Sequence, residues 1–136
     1  MTFTPPAPPF ELAVDIVPAD IDALGHVNNV VYLRWVQDVA ISHWNALTTL
    51  AQRAEVAWVA VRHEIDYKRS ALATDSVVAR TWVGPATQLA FERHTEVLRA
   101  SDRVLLAKAR TLWCPVDPAT GKVRRVASDV RALVSA

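Results

Sequence analysis

The groups best placed to move protons or hold charge lie in one short stretch, Asp20-Ile21-Asp22-Ala23-Leu24-Gly25-His26-Val27-Asn28-Asn29. A carboxylate can deprotonate a water molecule or attack an electrophilic carbon directly. Asp22 is the candidate for either role. The alternative open to it is a turn residue whose carboxylate holds a backbone N–H. Asn28 and Asn29 stand where a long apolar run begins. Asn is a favoured N-cap, because its side-chain oxygen accepts a free N–H of the first helical turn. The other free N–H groups there, with the positive end of the helix dipole, can stabilise an oxyanion. Capping and oxyanion stabilisation are compatible at one helix end. His26 is of the residue type most apt for proton transfer near neutral pH, yet a helix N-terminus disfavours its charged form. It can contact a substrate, orient Asp22 or hold the loop. Asp20 reads as structural.

Elsewhere the chemistry is sparse. His43, His63 and His94 have no close spacing with each other, with Cys or with carboxylates that would make a zinc site, so neither metal nor cofactor is expected. Cys114 is the single cysteine, which rules out an intramolecular disulfide, and Leu112-Trp113-Cys114-Pro115 reads as a buried apolar stretch. Basic and acidic residues number 15 and 14, a balance with no basic stripe for nucleic acid. Lys122, Arg124 and Arg125 form a small cluster beside a turn. It reads as a solvated loop or as a patch for the phosphates of a soluble ligand. The apolar runs fall far short of the roughly 20 residues of a membrane helix, so no membrane insertion is expected. With no basic segment followed by an apolar one at the N-terminus, a cytoplasmic protein is expected.

The elements that must position these groups can be read from periodicity. Apolar residues make up 51% of the 136 and charged residues 21%, a globular balance that fits a single domain. Residues 1–9 are Pro-rich and expected to form a flexible tail, with one domain over 10–136. Residues 10–17 read as a strand ended by Pro18. Val30 to Leu47 has no Pro or Gly, and its polar positions Arg34, Gln37, Asp38 and Asn45 fall on one narrow stripe, so it reads as a helix buried on most sides. Residues 57–68 alternate, with Ala57, Val59, Val61, His63, Ile65 and Tyr67 on one face. Residues 75–83, 88–100 and 103–114 also read as strands, with turns expected at Gly84-Pro85, Ser101-Asp102 and residues 118–121. A short strand over 122–126 and a helical turn from Ser128 through Val134 close the chain. The expected class is α+β, one antiparallel sheet of sequential neighbours curled around one long helix.

The run Asp20 to Trp35, with Asp22, Gly25 and His26-Val27-Asn28-Asn29 followed by Tyr32, resembles the signature of hotdog-fold thioesterases related to 4-hydroxybenzoyl-CoA thioesterase. Ile65-Asp66-Tyr67, Asp75, and Val116-Asp117 with Gly121 are similar to that family's later strands and turns. The chain departs from it at Arg69-Ser70-Ala71-Leu72, which lacks a common Pro, and at Ala73-Thr74, where a Gly usually precedes the Asp. The resemblance covers roughly residues 10–130. It implies a hotdog fold and an acyl-CoA thioesterase that hydrolyses an acyl or aroyl thioester to free acid and CoA. Asp22 would then be nucleophile or general base, the Asn29 amide would polarise the carbonyl, and His26 would assist. Asn28 and Tyr32 would meet substrate, Tyr32 in an acyl pocket with Trp35 or Trp58. The resemblance also implies a homodimer with sites between subunits; a homotetramer is compatible. Arg69, Lys122, Arg124 and Arg125 are candidates for CoA phosphates by charge alone.

Two other functions remain open at this stage. A hydratase or dehydratase on the same fold needs an acid and a base over the acyl chain, and the helix interior offers Asp38 and His43, five residues apart on different faces. A non-catalytic acyl-thioester binding module needs no acid or base at all.

Overall fold

A computed structural model describes residues 8–87 and 89–134. Strand β1, Phe10–Val14, leads through a short 3₁₀ turn to helix α1, Asn29–Leu47. A six-residue helix α2, Leu50–Glu55, follows at once, then strands β2, Ala57–Tyr67, β3, Val77–Ala86, β4, Phe91–Arg99, and β5, Leu105–Val116, and a closing helix α3, Ser128–Val134. The strands form one antiparallel sheet in the order β1-β3-β4-β5-β2. The α+β class with a curled sheet and one long helix is therefore what the chain adopts. The tail expected over 1–9 lies outside the described residues except for Pro8 and Pro9, which join no helix or strand.

Helix α1 starts and is buried as its sequence dictates. Asn28 caps it, its side-chain oxygen accepting from the Val30 N–H at 3.3 Å. Val31, Tyr32, Trp35, Val36, Val39 and Ala40 are buried, while Arg34, Gln37, Asp38 and Asn45 are exposed. Val36 and Val39 are 1% and 0% exposed, and burying each such side chain stabilises the fold by roughly 1.5–3 kcal/mol. Val31, Tyr32 and Trp35 form one core cluster with the inward sheet residues Val77, Val97, Leu106 and Ala107. No helix of the described residues is long and apolar enough to cross a membrane.

The sheet departs from the sequence reading in its order. β2 is not beside β3; it pairs with β5 at the far edge. The connection from β2 to β3 therefore crosses the sheet's end instead of turning tightly, and it passes under the N-terminus of α1. A bulge between Ala60 and Arg62 also resets the alternation in β2. Val59 and Val61, expected inward, are 47% and 62% exposed, whereas His63 and Ile65 beyond the bulge are half-buried. β3 runs through Gly84-Pro85 to Ala86 instead of turning there. β1 stops at Val14, before the expected end at Val17. Residues 122–126 contribute only an isolated bridge, Val123 to Val116.

One ion pair ties the segment before α1 to the helix. Asp20 is 4% exposed, and its two oxygens accept from the Arg34 guanidinium at 3.1 and 2.9 Å. It also accepts from the Val17 N–H at 3.0 Å. The Arg34 hydrogen bond, then the Val17 N–H, hold its carboxyl below the ordinary 3.8. Asp20→Asn is expected to lower stability at pH 7 by about 2–3 kcal/mol, the lower end of a broken buried pair because Arg34 is half exposed. A carboxyl with a lowered folded-state pKa contributes above its unfolded value and loses that contribution as pH falls. Urea midpoints should therefore show the wild-type advantage complete at neutral pH and closing below pH 3.8; an advantage that persists at pH 2 would refute it.

Candidate active site

Between Asp20 and Asn28 the chain makes a small closed loop. Ile21 and Val27 form a bridge across it, the Asp22 N–H donates to the His26 carbonyl at 2.8 Å, and Gly25 donates to the Asp22 carbonyl at 3.0 Å. Gly25 has φ +79°, a left-handed conformation that a side chain would strain. The Asp22 carboxylate lies over this turn. Its Oδ1 accepts from the N–H groups of Leu24 at 2.9 Å and His26 at 3.2 Å. Among the described residues Oδ2 has no partner. Asp22 thus has the turn role allowed to it by its type, and it keeps one oxygen available.

The loop is fastened on both sides to the start of α1. The Asn28 N–H donates to the Asp20 carbonyl at 2.8 Å, and Val31 to the Asn28 carbonyl at 2.9 Å. Asn29 is the first helical residue, exposed, and its N–H has no acceptor among the described residues. Its carbonyl accepts from the Tyr67 hydroxyl at 3.1 Å. The structure therefore brings Asp22, His26, Asn28 and Asn29 together at one helix end. The His26 ring is half-buried and makes no hydrogen bond among the described residues.

Tyr32 requires a correction. Expected against substrate, it is 2% exposed and part of the core, edge-on to Trp35 and Tyr67 at 5.2 and 5.4 Å. Its hydroxyl accepts from the Ala71 N–H at 2.9 Å, and the Ala71 carbonyl accepts from the Val27 N–H at 2.9 Å. With a bridge from His26 to Leu72, this clamps the β2–β3 connection against the loop. Tyr32 thus supports the site from below. Tyr67, also missing from the sequence-based set, reaches the helix start from the end of β2. The signal was its phase in β2 with His63 and Ile65, beyond the bulge at Ala60–Arg62.

A separate cavity of about 610 Å³ opens over the second half of α1, between Gln37, Ile41, Trp44, Trp58, Phe91 and Arg93. At 1.5 Å per residue, Gln37 and Trp44 lie about 12 and 22 Å along the axis from Asn29. Within one subunit it is therefore distinct from the loop. Of the residues named beside Tyr32, Trp58 lines this cavity and Trp35 lies in the core. Arg93 fell within the strand expected over 88–100 with no role attached, and His43 was considered for function only in a metal site or a hydratase. The inward phase of β4, with Phe91, Thr95 and Val97 buried, would have placed Arg93 inside.

Of the basic candidates for phosphate, Arg69 is exposed on the connection that carries Ala71. Arg124 is engaged by the Glu55 carbonyl at 2.6 Å and lies 3.8 Å from Asp117. Cys114 is half-buried. Among the described residues no three His, Cys, Asp or Glu side chains are grouped to hold a metal ion.

Comparisons with known proteins agree with this fold. The model of the thioesterase-like superfamily matches residues 16–134. No curated protein matches the chain in sequence. Among solved structures, the chain is similar to a 1,4-dihydroxy-2-naphthoyl-CoA thioesterase from Synechocystis, with 19% identity, TM-score 0.80, and 92% and 94% of the two chains covered. It is similar to a probable thioesterase from Escherichia coli, with 16% identity, TM-score 0.81, and 93% and 96% covered. A Thermus thermophilus thioesterase complexed with coenzyme A and Zn matches at 22% identity and TM-score 0.80, with 91% and 90% covered.

The clamp has a direct test. Tyr32→Phe keeps the ring and removes the acceptor of the Ala71 N–H, and is expected to cost about 1–2 kcal/mol of stability. Hydrogen exchange should accelerate at the Ala71 amide more than at amides in β4. Unchanged protection at Ala71 would show that the hydroxyl does not hold the connection.

Proposed function

Because this chain belongs to the thioesterase-like superfamily of thioester hydrolases, we propose that it is an acyl-CoA thioesterase, acting in the cytoplasm as a homodimer, with Asp22 as its catalytic carboxylate. The observation that carries the assignment is the placement of Asp22. Two loop N–H groups orient its carboxylate through one oxygen, and the other oxygen stands without a partner beside a capped helix end with a free Asn29 N–H. The relatives named above as CoA thioesterases support the choice of CoA as thiol.

The thioester carbonyl oxygen rests on the Asn29 N–H at the positive end of α1, where a developing oxyanion is stabilised without reorganisation. Asp22 then acts in one of two ways. Its free oxygen attacks the carbonyl carbon, the C–S bond breaks, and CoA leaves from an acyl-aspartyl anhydride that water hydrolyses. Alternatively it takes a proton from water, and the hydroxide adds to the carbon before the thiol leaves. His26 and the Asn28 amide contact substrate at the loop. Tyr32 contributes through Ala71.

The edges of the sheet support the dimer. β2 is an edge strand with exposed Val59 and Val61, and an unpaired apolar edge is an aggregation liability unless it is covered. A second copy adding its own β2 there would cover both. Pairing of dimers into tetramers is compatible with this contact.

The hydratase alternative loses its acid and base. Asp38 is exposed, and His43 accepts from Arg93 at 2.9 Å, with burial holding its imidazole down at about 4. A panel of acyl-CoAs with a free-thiol reagent separates hydrolysis, which releases the CoA thiol, from hydration or simple binding.

Asp22→Asn is expected to lower kcat by about 10²-fold or more, since a positioned base typically contributes roughly 10²–10⁴. Asn retains the oxygen that accepts from Leu24 and His26, so circular dichroism and oligomeric state should be unchanged. Asp20→Asn, assayed well below its unfolding temperature, should cost about 10-fold or less. Near wild-type turnover in a folded Asp22→Asn protein would sink the assignment and favour a binding module. Light scattering at micromolar concentration should give a dimer or tetramer mass; a fully active monomer would refute the shared-site arrangement.

A further inference from the structure

The cavity over the second half of α1 is rich in hydrogen-bond donors that are only partly satisfied among the described residues. Arg93 projects inward from β4 and is 7% exposed. Its Nη1 donates to His43 Nδ1 at 2.9 Å and to Thr81 Oγ at 3.2 Å, both neutral acceptors. Among the described residues no carboxylate lies within ion-pair distance of it, and its Nε and Nη2 make no hydrogen bond. The buried indole N–H groups of Trp58 and Trp113, which line the same cavity, have no acceptor among the described residues. Arg53 at the rim donates to the carbonyls of Asn45 and Thr48 and also has no carboxylate partner among the described residues. One carboxylate also lines the cavity, that of Glu92, and it is already held by Arg110 and His94.

A buried cation without a counter-charge is unfavourable, and native structures normally pair it. His43 supplies no negative charge: it is a neutral acceptor for Arg93, and burial together with the Arg93 charge disfavours its protonation, which would only add a second positive charge. The missing component is an anion with acceptor oxygens. A guanidinium edge matches the two oxygens of a carboxylate. The remaining walls are aromatic: Trp58 meets Trp44 edge-on at 5.6 Å and Phe91 at 5.0 Å. Such walls suit a ring or an alkyl chain and leave inorganic phosphate poorly covered.

We propose that this cavity binds an organic carboxylate, its charged end on Arg93 and its apolar body among Trp44, Trp58 and Phe91. The ligand can be a free acid or the far carboxylate of an acyl group delivered as a thioester. The chemistry at Arg93 is the same for both, and the site does not depend on the role of Asp22.

Benzoate and octanoate, each with its uncharged counterpart benzyl alcohol or octanol, provide the probes, read by tryptophan fluorescence and calorimetry. The acids should bind the wild-type protein about 10-fold or more tightly than the alcohols, the scale of a hydrogen bond to a charged group. Inorganic phosphate should not compete. Arg93→Met should erase the preference, and Ile41→Trp should block entry from the half-exposed side of the cavity without altering the core. Alcohols binding as tightly as acids, no binding of either, or preference retained in Ile41→Trp would overturn the proposal, whether or not Arg93→Met folds. Kinetics then distinguish the sources, and either result supports the site. Benzoate raising KM for acyl-CoA with kcat unchanged assigns the pocket to the acyl arm, whereas a change in kcat assigns it to a separate acid. A protein that binds benzoate through Arg93 yet cleaves no thioester would retain this site and lose the proposed function.

Discussion

Helix α1 must be buried on most of its circumference, and this chain has a single sheet with which to do it. A flat sheet covers one side of a helix; a twisted, curled one covers more. The rest of the architecture answers that requirement. β1 and β2 stand at opposite edges of the sheet, although the helix lies between them in the sequence. With the buried side of α1 against the sheet, the stripe of Arg34, Gln37, Asp38 and Asn45 stays in water, together with Val30 and Ile41. The two ends of the helix are then the places where the wrapping is incomplete, and each carries polar chemistry.

At the N-terminal end the polar groups are short-range and mutually tied. Asp20, Asn28 and Ala71 hold the loop by backbone contacts and one ion pair, so Asp22 need only bend a turn over Gly25 to stand beside free helix amides. At the other end Arg93, Thr81, Thr95 and Thr111 place polar side chains inside the sheet itself. Thr81 and Thr95 sit opposite one another on β3 and β4, with hydroxyls 3.3 Å apart. The dipole of α1 gives these ends opposite electrostatic character. The free Asn29 amide favours negative charge, and the C-terminal carbonyls accept from cations such as Arg53. One rod thus orders two different environments.

Much of this was legible in the residues. The helix was readable because Val30 to Leu47 has no breaker and one polar stripe, both local properties. The cap at Asn28 and the turn at Gly25 were readable for the same reason. The position of β2 was not, because edge placement is decided by which neighbours bury its faces, and no local pattern encodes that. The bulge at Val61 adds one residue to a period of two, so the alternation reads inward for Val59 when the strand turns it outward. Gly84-Pro85 was misread because turn formers are also tolerated near a strand's end. Within the site, Asp22, Asn28 and Asn29 carried a motif. Tyr32 carried only its aromatic type, which fits a pocket wall and a core equally well, and the partner that decides between them, Ala71, lies far along the chain.

The strand order also sets the sequence in which contacts can close. β3, β4 and β5 are joined by short turns and pair as consecutive neighbours, so their contacts cost little chain entropy. β1 must find β3, and β2 must find β5, across long stretches of intervening chain. Topology therefore favours a nucleus in the β3–β4–β5 meander, with the outer strands and α1 added later. The contact of Val27 with Ala71 joins a segment before α1 to one after β2, and it can form only when both late elements have arrived. The loop that carries Asp22 is thus among the last parts of the molecule to take shape, and a chain in which that loop is half built is also a chain whose β2 edge has not yet paired with β5.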